Sequence, residues 1–203
     1  MFDHLFRQLK ERWFEPLALR IGRQVSPNAL SIAACLLGLF AAWAAARGRH
    51  DIALLGWLAN RMLDGFDGTL ARVTGQQSDF GGYLDIVCDF IVYAAMPIGA
   101  VMGSGVPGAE AALVWLLAAF FVNAASWMYL SAVLEKRAVG ANVRGELTTV
   151  TMPPALIAGT ETVIFFSLFL IFPSKVPTLM WAMTVLLGIG ILGRLVWARR
   201  SLA

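Results

Sequence analysis

Six apolar stretches, near residues 27–46, 52–72, 80–102, 109–134, 150–172 and 176–197, take up most of this 203-residue chain. Each has about the length of a helix that crosses the hydrocarbon core of a bilayer, for which roughly 20 apolar residues are needed. Backbone inside lipid must satisfy its own hydrogen bonds, so such stretches are restricted to helices. The composition agrees, with 59% hydrophobic and 14% charged residues, against roughly 25% charged in a soluble chain. The expectation is an all-α membrane protein with six transmembrane helices. A chain this short then has no room for a separate soluble catalytic domain.

Ahead of the first stretch, Leu5, Phe6, Leu9, Trp13, Leu17 and Ile21 fall at helical spacings, with Arg7, Lys10, Glu11 and Arg12 mostly on other faces. That pattern predicts an amphipathic surface helix within residues 1–25. The segment lacks the continuous apolar core of a signal peptide and is expected to be retained. Ser26-Pro27-Asn28 then restarts the chain, with proline suited to the first turn of a helix. The predicted organisation is one membrane domain over 1–203, in which the surface helix precedes a six-helix bundle over 26–200. Its short connections make sequential helices antiparallel.

Lys and Arg separate by side. Arg7, Lys10, Arg12, Arg20, Arg23, Arg72, Lys136, Arg137, Arg144, Arg194, Arg199 and Arg200 fall on one side, Arg47, Arg49 and Lys175 on the other, and Arg61 lies within a helix. The positive-inside rule therefore puts both termini in the cytoplasm. A net charge of +3 is too small and scattered for nucleic-acid binding. Cys35 and Cys88 sit in apolar segments, where a thiol behaves as a small buried hydrophobe. Trp13, Trp43 and Trp197 suit interface anchors.

The second and third stretches carry Asp64, Asp67, Asp85 and Asp89. One Asp at the centre of a spanning helix costs about 2.5–3.5 kcal/mol. Four cost up to roughly 10–14 kcal/mol, less near a helix end. They must share a polar cavity with cations. Asp64, Asp67, Gly68 and Ala71 fall at i, i+3, i+4 and i+7, and Gly81, Asp85 and Asp89 at i, i+4 and i+8, one helical face each. A short connection brings the two acidic faces together about two turns below the cytoplasmic surface. Four carboxylates there suit one or two hard divalent cations. His4 and His50 are distant in sequence, which argues against a zinc site. Small residues beside the carboxylates leave a slot, and Arg72 at its mouth suits a phosphate. The set fits phosphoryl transfer from a pyrophosphate donor, with one carboxylate activating a hydroxyl. Taken singly, the glycines also suit helix packing, and Arg61 at i−3 from Asp64 suits an intrahelical ion pair.

The run Asp64-Gly65-Phe66-Asp67-Gly68-Thr69-Leu70-Ala71-Arg72, eight residues, then Gly81-Gly82-Tyr83-Leu84-Asp85-Ile86-Val87-Cys88-Asp89 resembles the signature D-x2-D-G-x2-A-R-x8-G-x3-D-x3-D of the CDP-alcohol phosphatidyltransferases. All eight fixed positions match. The resemblance implies that Asp64, Asp67, Asp85 and Asp89 bind two ions of Mg²⁺ or Mn²⁺, and that Asp89 is also the catalytic base. It implies donor contacts at Gly68, Arg72, Ser78 and Gly81, with Pro27, Asn28, Ala29 and Leu30 against the nucleotide. It also implies a multi-pass protein of a bacterial inner membrane, with a cytoplasmic active site and a second copy as partner.

Two further groups are candidates for the acceptor. Glu161 lies about 18 Å along the fifth segment if that segment begins near Thr149, and it either faces the cavity or accepts local hydrogen bonds. Arg137 and Arg144, with Lys136, border the connection before it and suit a phosphorylated alcohol, although the positive-inside rule already accounts for them. The expected reaction moves a phosphatidyl group from CDP-diacylglycerol to a small polar alcohol and releases CMP. The rivals are transfer from CDP-choline, CDP-ethanolamine or CDP-inositol and, further off, a cation or proton-coupled transporter.

Overall fold

The computed structural model describes residues 14–20, 22, 24–137 and 156–202. Six helices are described from residue 27 on: α1 (Pro27–Ala46), α2 (His50–Thr74), α3 (Asp79–Ser104), α4 (Ala109–Lys136), α5 (Gly159–Ile171) and α6 (Val176–Leu202), with a 3₁₀ turn at Pro173–Lys175 before α6. The described residues contain no strand. Residues 14–20 are also helical. Most of the predicted amphipathic stripe, Arg144 and Trp13 lie outside the described residues; of that stripe Leu17 is described and is exposed.

Among the described residues four segments are long and apolar enough to cross a membrane: Pro27–Ala46, Asp79–Ser104, Ala109–Lys136 and Pro173–Leu202. The other two depart from that pattern for physical reasons. α2 has the length, but Asp51, Arg61, Asp64, Asp67 and Arg72 lower its hydropathy. α5 is apolar but has 13 residues, about 20 Å of helix against a core of about 30 Å. The sequence pattern starts this helix near 150, whereas Leu156 to Ala158 are not helical and the described helix begins at Gly159.

The chain forms two compact units, one of residues 1–106 with 163–176 and one of residues 107–162 with 177–203. In the first, both acidic helices pack along α1. Its inward face is small, with buried Ser31, Ala34, Cys35, Gly38, Ala41, Ala42 and Ala45, while Ile32, Leu36, Phe40 and Trp43 are exposed. This inverts the soluble pattern. Lipid solvates large side chains as well as a protein core does, so close backbone approach between small residues is what holds such helices together. A Cβ at Gly99 or Gly103 would run into the backbone of Ala42 or Ala45, and one at Gly56 would lie 3.2 Å from the Ala41 Cβ. Cys35 and Cys88 are both buried and unbridged.

Local signals set the ends of these helices. The Ser26 Oγ accepts from the Ala29 N–H at 3.2 Å, with Pro27 in the first turn of α1. Gly75 ends α2 in the left-handed region at φ 66°, and the Gln76 N–H bonds the Ala71 carbonyl at 2.9 Å. The chain is thereby reversed by residue 78, where Ser78 caps α3. In the second unit α4 and α6 meet through Asn123, Ser126 and Arg194.

If backbone approach between α1 and α3 is the main hold on the first unit, Gly99→Leu should cost about 3 kcal/mol through overpacking. Leu36→Val on the lipid-facing side should stay within about 0.5 kcal/mol. Thermal unfolding of the two variants in the same detergent checks this.

Candidate active site

Two helices of nearly matched register bring the acidic groups together. Asp64 lies ten residues before Thr74 at the end of α2, and Asp89 lies ten residues after Asp79 at the start of α3, both about 15 Å from the turn. Asp67 and Asp85 lie seven and six residues from it, about 10 Å. The four carboxylates thus form two tiers, the upper one deeper than sequence spacing alone suggests.

The upper tier is closed by a cation. The Arg61 Nη1 lies 2.9 Å from Asp89 Oδ1 and 3.4 Å from Asp64 Oδ2. It also donates to the Tyr93 hydroxyl at 3.3 Å, and the Arg61 Nε donates to Asn60 Oδ1 at 2.7 Å. Asn60 is tied to α1 in turn, its Nδ2 donating to the Ala34 carbonyl at 2.7 Å. The guanidinium carbon sits 4.8 Å from the Trp57 ring centre and 5.4 Å from that of Tyr93. Below these rings Phe166 of α5 is fully buried, 5.4 Å from Trp57 and 5.8 Å from Tyr93. A desolvated guanidinium between aromatic faces gains from the ring quadrupoles as well as from the carboxylates. The expected intrahelical pair with Asp64 therefore exists, but its shorter ionic contact crosses to α3.

The lower tier leans on α1 and on helix termini. Asp67, 4% exposed, accepts from the Ser31 Oγ at 2.5 Å. Arg72 stands in the last turn of α2, where the helix dipole favours a cation, and its Nη2 donates to Thr69 Oγ1 at 3.2 Å. Gly68 has open space beside it: among the described residues, and apart from its own helix backbone, the Arg72 Nη1 alone comes within 4 Å of where a Cβ would stand. At Gly81 a Cβ would lie 3.1 Å from Asn28 Oδ1 and from Ser78 Oγ, so the missing side chain leaves room for these two polar groups. The Ser78 Oγ accepts from the Gly81 N–H at 3.1 Å, a cap that leaves its own proton to donate. Pro27 is buried and Ala29 exposed, while Leu30 packs into an apolar cluster with Ala18, Phe66 and Leu70.

Glu161 sits in the first turn of α5, and its Oε2 accepts from the Ala158 N–H at 3.1 Å. It closes the helix start as the glutamate of a capping box does. The late start of α5 removes the premise that placed this carboxylate about 18 Å along a helix. Arg137 is exposed at the C-cap of α4.

The donor set suits a hard divalent cation, since it consists of carboxylate oxygens from two helices. Among the described residues, however, no three His, Cys, Asp or Glu groups stand close enough to hold an ion. Arg61 and Ser31 hold one oxygen each of Asp64, Asp89 and Asp67. Asp64 Oδ1 and Asp89 Oδ2 lie outside these bonds, so the residues fit a cation without losing Arg61.

Sequence reading missed Tyr93, Trp57, Asn60 and Ser31. A signal existed for two of them. Tyr93 extends the stripe Gly81, Asp85, Asp89 by four residues, and Trp57 lies four residues before Arg61. Ser31 and Asn60 gave none, because small polar residues on apolar helices are common packing groups.

Removing the shared cation should expose the cost of the upper tier. Arg61→Met should destabilise the protein by about 3 kcal/mol, the scale for breaking a buried pair from one side. In an Asp89→Asn background the same change should cost at least about 1 kcal/mol less. A double-mutant cycle of unfolding free energies measures this, and strict additivity would contradict the bond's role.

The sequence profile described as CDP-alcohol phosphatidyltransferase matches residues 24–192. The chain is 34% identical over 150 residues to the inner membrane protein YnjF of Escherichia coli K12, covering 74% of this chain and 71% of that protein. It is 28% identical over 147 residues to an archaetidylinositol phosphate synthase of Pyrococcus horikoshii, covering 70% and 77%. In fold it is similar to the crystal structure of the Mycobacterium tuberculosis phosphatidylinositol phosphate synthase with CDP-DAG bound, at TM-score 0.72 and 19% identity over 92% of this chain and 94% of that one. The length of the profile match and the identity to YnjF go together with the eight motif positions. This chain belongs to the CDP-alcohol phosphatidyltransferase family, integral membrane transferases of phospholipid synthesis.

Proposed function

We propose that this protein moves a phosphatidyl group from CDP-diacylglycerol to the hydroxyl of a small polar alcohol and releases CMP. The observation that carries this reading is the pair of carboxylate tiers on α2 and α3, with Asp64 and Asp89 joined by one guanidinium. The relative solved with CDP-DAG bound supports the donor. Two relatives named as inositol phosphate lipid synthases support an alcohol acceptor.

In this reading the whole chain, 1–203, is one catalytic membrane domain with a surface helix at its start and six crossings. The Lys and Arg distribution supports termini and active site on the cytoplasmic side. Asp89 takes the proton of the acceptor hydroxyl as its oxygen bonds to the phosphorus bearing the lipid. The phosphoanhydride bond between that phosphorus and the bridging oxygen breaks in the same displacement, and the oxygen leaves with CMP. Arg61 holds Asp89 Oδ1 and leaves Oδ2 to receive that proton. Arg72 pairs with the donor phosphates. Asp64, Asp67, Asp85 and Asp89 would hold Mg²⁺ or Mn²⁺, whose charge neutralises the phosphate oxygens.

With purified protein, CDP-diacylglycerol and Mg²⁺, CMP release should stop on thorough chelation and return on adding the ion. Asp64→Asn and Asp85→Asn should stay folded with turnover lowered at least about a thousandfold, the scale of one transition-state electrostatic group. Activity surviving chelation would overturn the metal assignment.

Asp89→Asn should lose turnover yet bind the donor better than Asp64→Asn does, whereas Arg72→Ala should weaken donor binding about tenfold, the effect of roughly 1.4 kcal/mol. Donor binding and CMP release measured on the same preparations separate the two roles. Near-normal turnover in Asp89→Asn at saturating acceptor would remove it as base.

Supplying serine, inositol, glycerol 3-phosphate and inositol phosphate in turn identifies the acceptor by the lipid formed. A phosphorylated acceptor should lose affinity in Arg137→Ala or Arg144→Ala. Unchanged affinity in both would show that these arginines set orientation only.

A further inference from the structure

The transfer steps give no task to Tyr93, although it stands one turn beyond Asp89 on the same face of α3. Its hydroxyl lies 3.3 Å from Arg61 Nη1, and that nitrogen lies 2.9 Å from Asp89 Oδ1. A single small molecule therefore spans the distance from Asp89 to the Tyr93 hydroxyl. A guanidinium donates and cannot accept, so the hydroxyl is the acceptor toward Arg61 and keeps its own proton to give. Among the described residues no hydrogen bond uses that proton.

The ring is held on two sides. Phe166 meets it edge-on at 83° and 5.8 Å, and the Arg61 guanidinium carbon stands 5.4 Å from its centre. Trp57, the other ring against the guanidinium, is fully buried, whereas Tyr93 is half-buried. Of the two, Tyr93 is the one that a ligand can reach. The groups around it offer little else of its kind: Asp64 and Asp89 are carboxylates that accept, and Arg61 spends its Nη1 and Nε on Asp64, Asp89, Tyr93 and Asn60.

We propose that Tyr93 selects the acceptor alcohol. While Asp89 takes the proton of the reacting hydroxyl, the Tyr93 O–H donates to an oxygen on the neighbouring carbon of the same molecule. The proposal rests on Asp89 as the base. It names the acceptor class as a polyol, with or without a phosphate of its own. Serine, ethanolamine and choline instead carry a cationic nitrogen on that neighbouring carbon, which has no lone pair to accept the Tyr93 proton and would stand beside the charge of Arg61.

The test gives purified full-length protein CDP-diacylglycerol and Mg²⁺ with inositol, inositol phosphate, glycerol 3-phosphate, serine and ethanolamine in turn. The polyol that reacts is then compared with its analogue lacking the oxygen next to the reacting carbon, which for glycerol 3-phosphate is 3-hydroxypropyl phosphate. In wild type the polyol should exceed that analogue about tenfold in kcat/KM, the scale of one hydrogen bond made to the substrate. Tyr93→Phe, which keeps the ring against Phe166, should lose about tenfold with the polyol and stay within about twofold with the analogue, at unchanged donor affinity. Equal losses on both substrates would mean that the hydroxyl acts only by holding Arg61, and would overturn the proposal. So would no loss on the polyol, no preference of wild type for the polyol over its analogue, or a preference for serine or ethanolamine. The wild-type comparison needs no variant, so it decides the matter even if Tyr93→Phe unfolds in the same detergent. Release of no CMP by wild type with any acceptor would remove the transfer reading itself, and the proposal with it.

Discussion

The guanidinium of Arg61 between Asp64 and Asp89 is the contact on which the first unit turns. Two carboxylates at one depth in adjacent helices repel through a medium of low dielectric, and that repulsion works against the register set by the Gly75 to Ser78 turn. A single charge shared between them offsets it. The cation is itself fixed on several sides, by Trp57, Tyr93 and the Asn60 bond that leads to Ala34 on α1. Positions of the acidic groups are thereby inherited from the most closely packed helix of the unit.

That dependence explains why α1 is built from small residues. Ser31 reaches Asp67 and the Ala34 carbonyl receives Asn60, while Ala42 and Ala45 lie against Gly99 and Gly103. A larger side chain on this face would spread α2 and α3 and displace carboxylates it never touches. The helix without any acidic residue of its own thus sets the geometry of those that carry them.

Much of this could be read from the residues alone. Asp64, Asp67, Asp85 and Asp89 declare themselves because intramembrane charge is costly, and their spacing assigns each pair to a face. The spans α1, α3, α4 and α6 follow from hydropathy, and the reversal between α2 and α3 from the short connection. Contacts decided by three-dimensional packing could not be read this way. Arg61 has an acidic neighbour three residues on, and nothing local says that its shorter ionic contact lies 28 residues away at Asp89. Leu30 sits beside plausible ligand-facing residues, yet a half turn of helix puts it among Phe66 and Leu70. Glu161 stands in the first turn of α5 rather than well along it, because the described helix begins at Gly159. A helix end is defined by unpaired N–H groups, which hydropathy does not register.

The low hydropathy of α2 has a consequence for what must surround it. By composition α2 does not qualify to cross a bilayer, whereas its neighbours α1 and α3 do. Its charges are tolerable only once Ser31, Asp89 and Tyr93 are in reach, and the last two are synthesised after it. A single Asp at the centre of a spanning helix costs about 2.5–3.5 kcal/mol, so α2 alone in lipid would bear a cost that these contacts lower. Chemistry at the centre of the site and burial of the helix that carries it are opposing demands, and contacts from both neighbours of α2 offset the second.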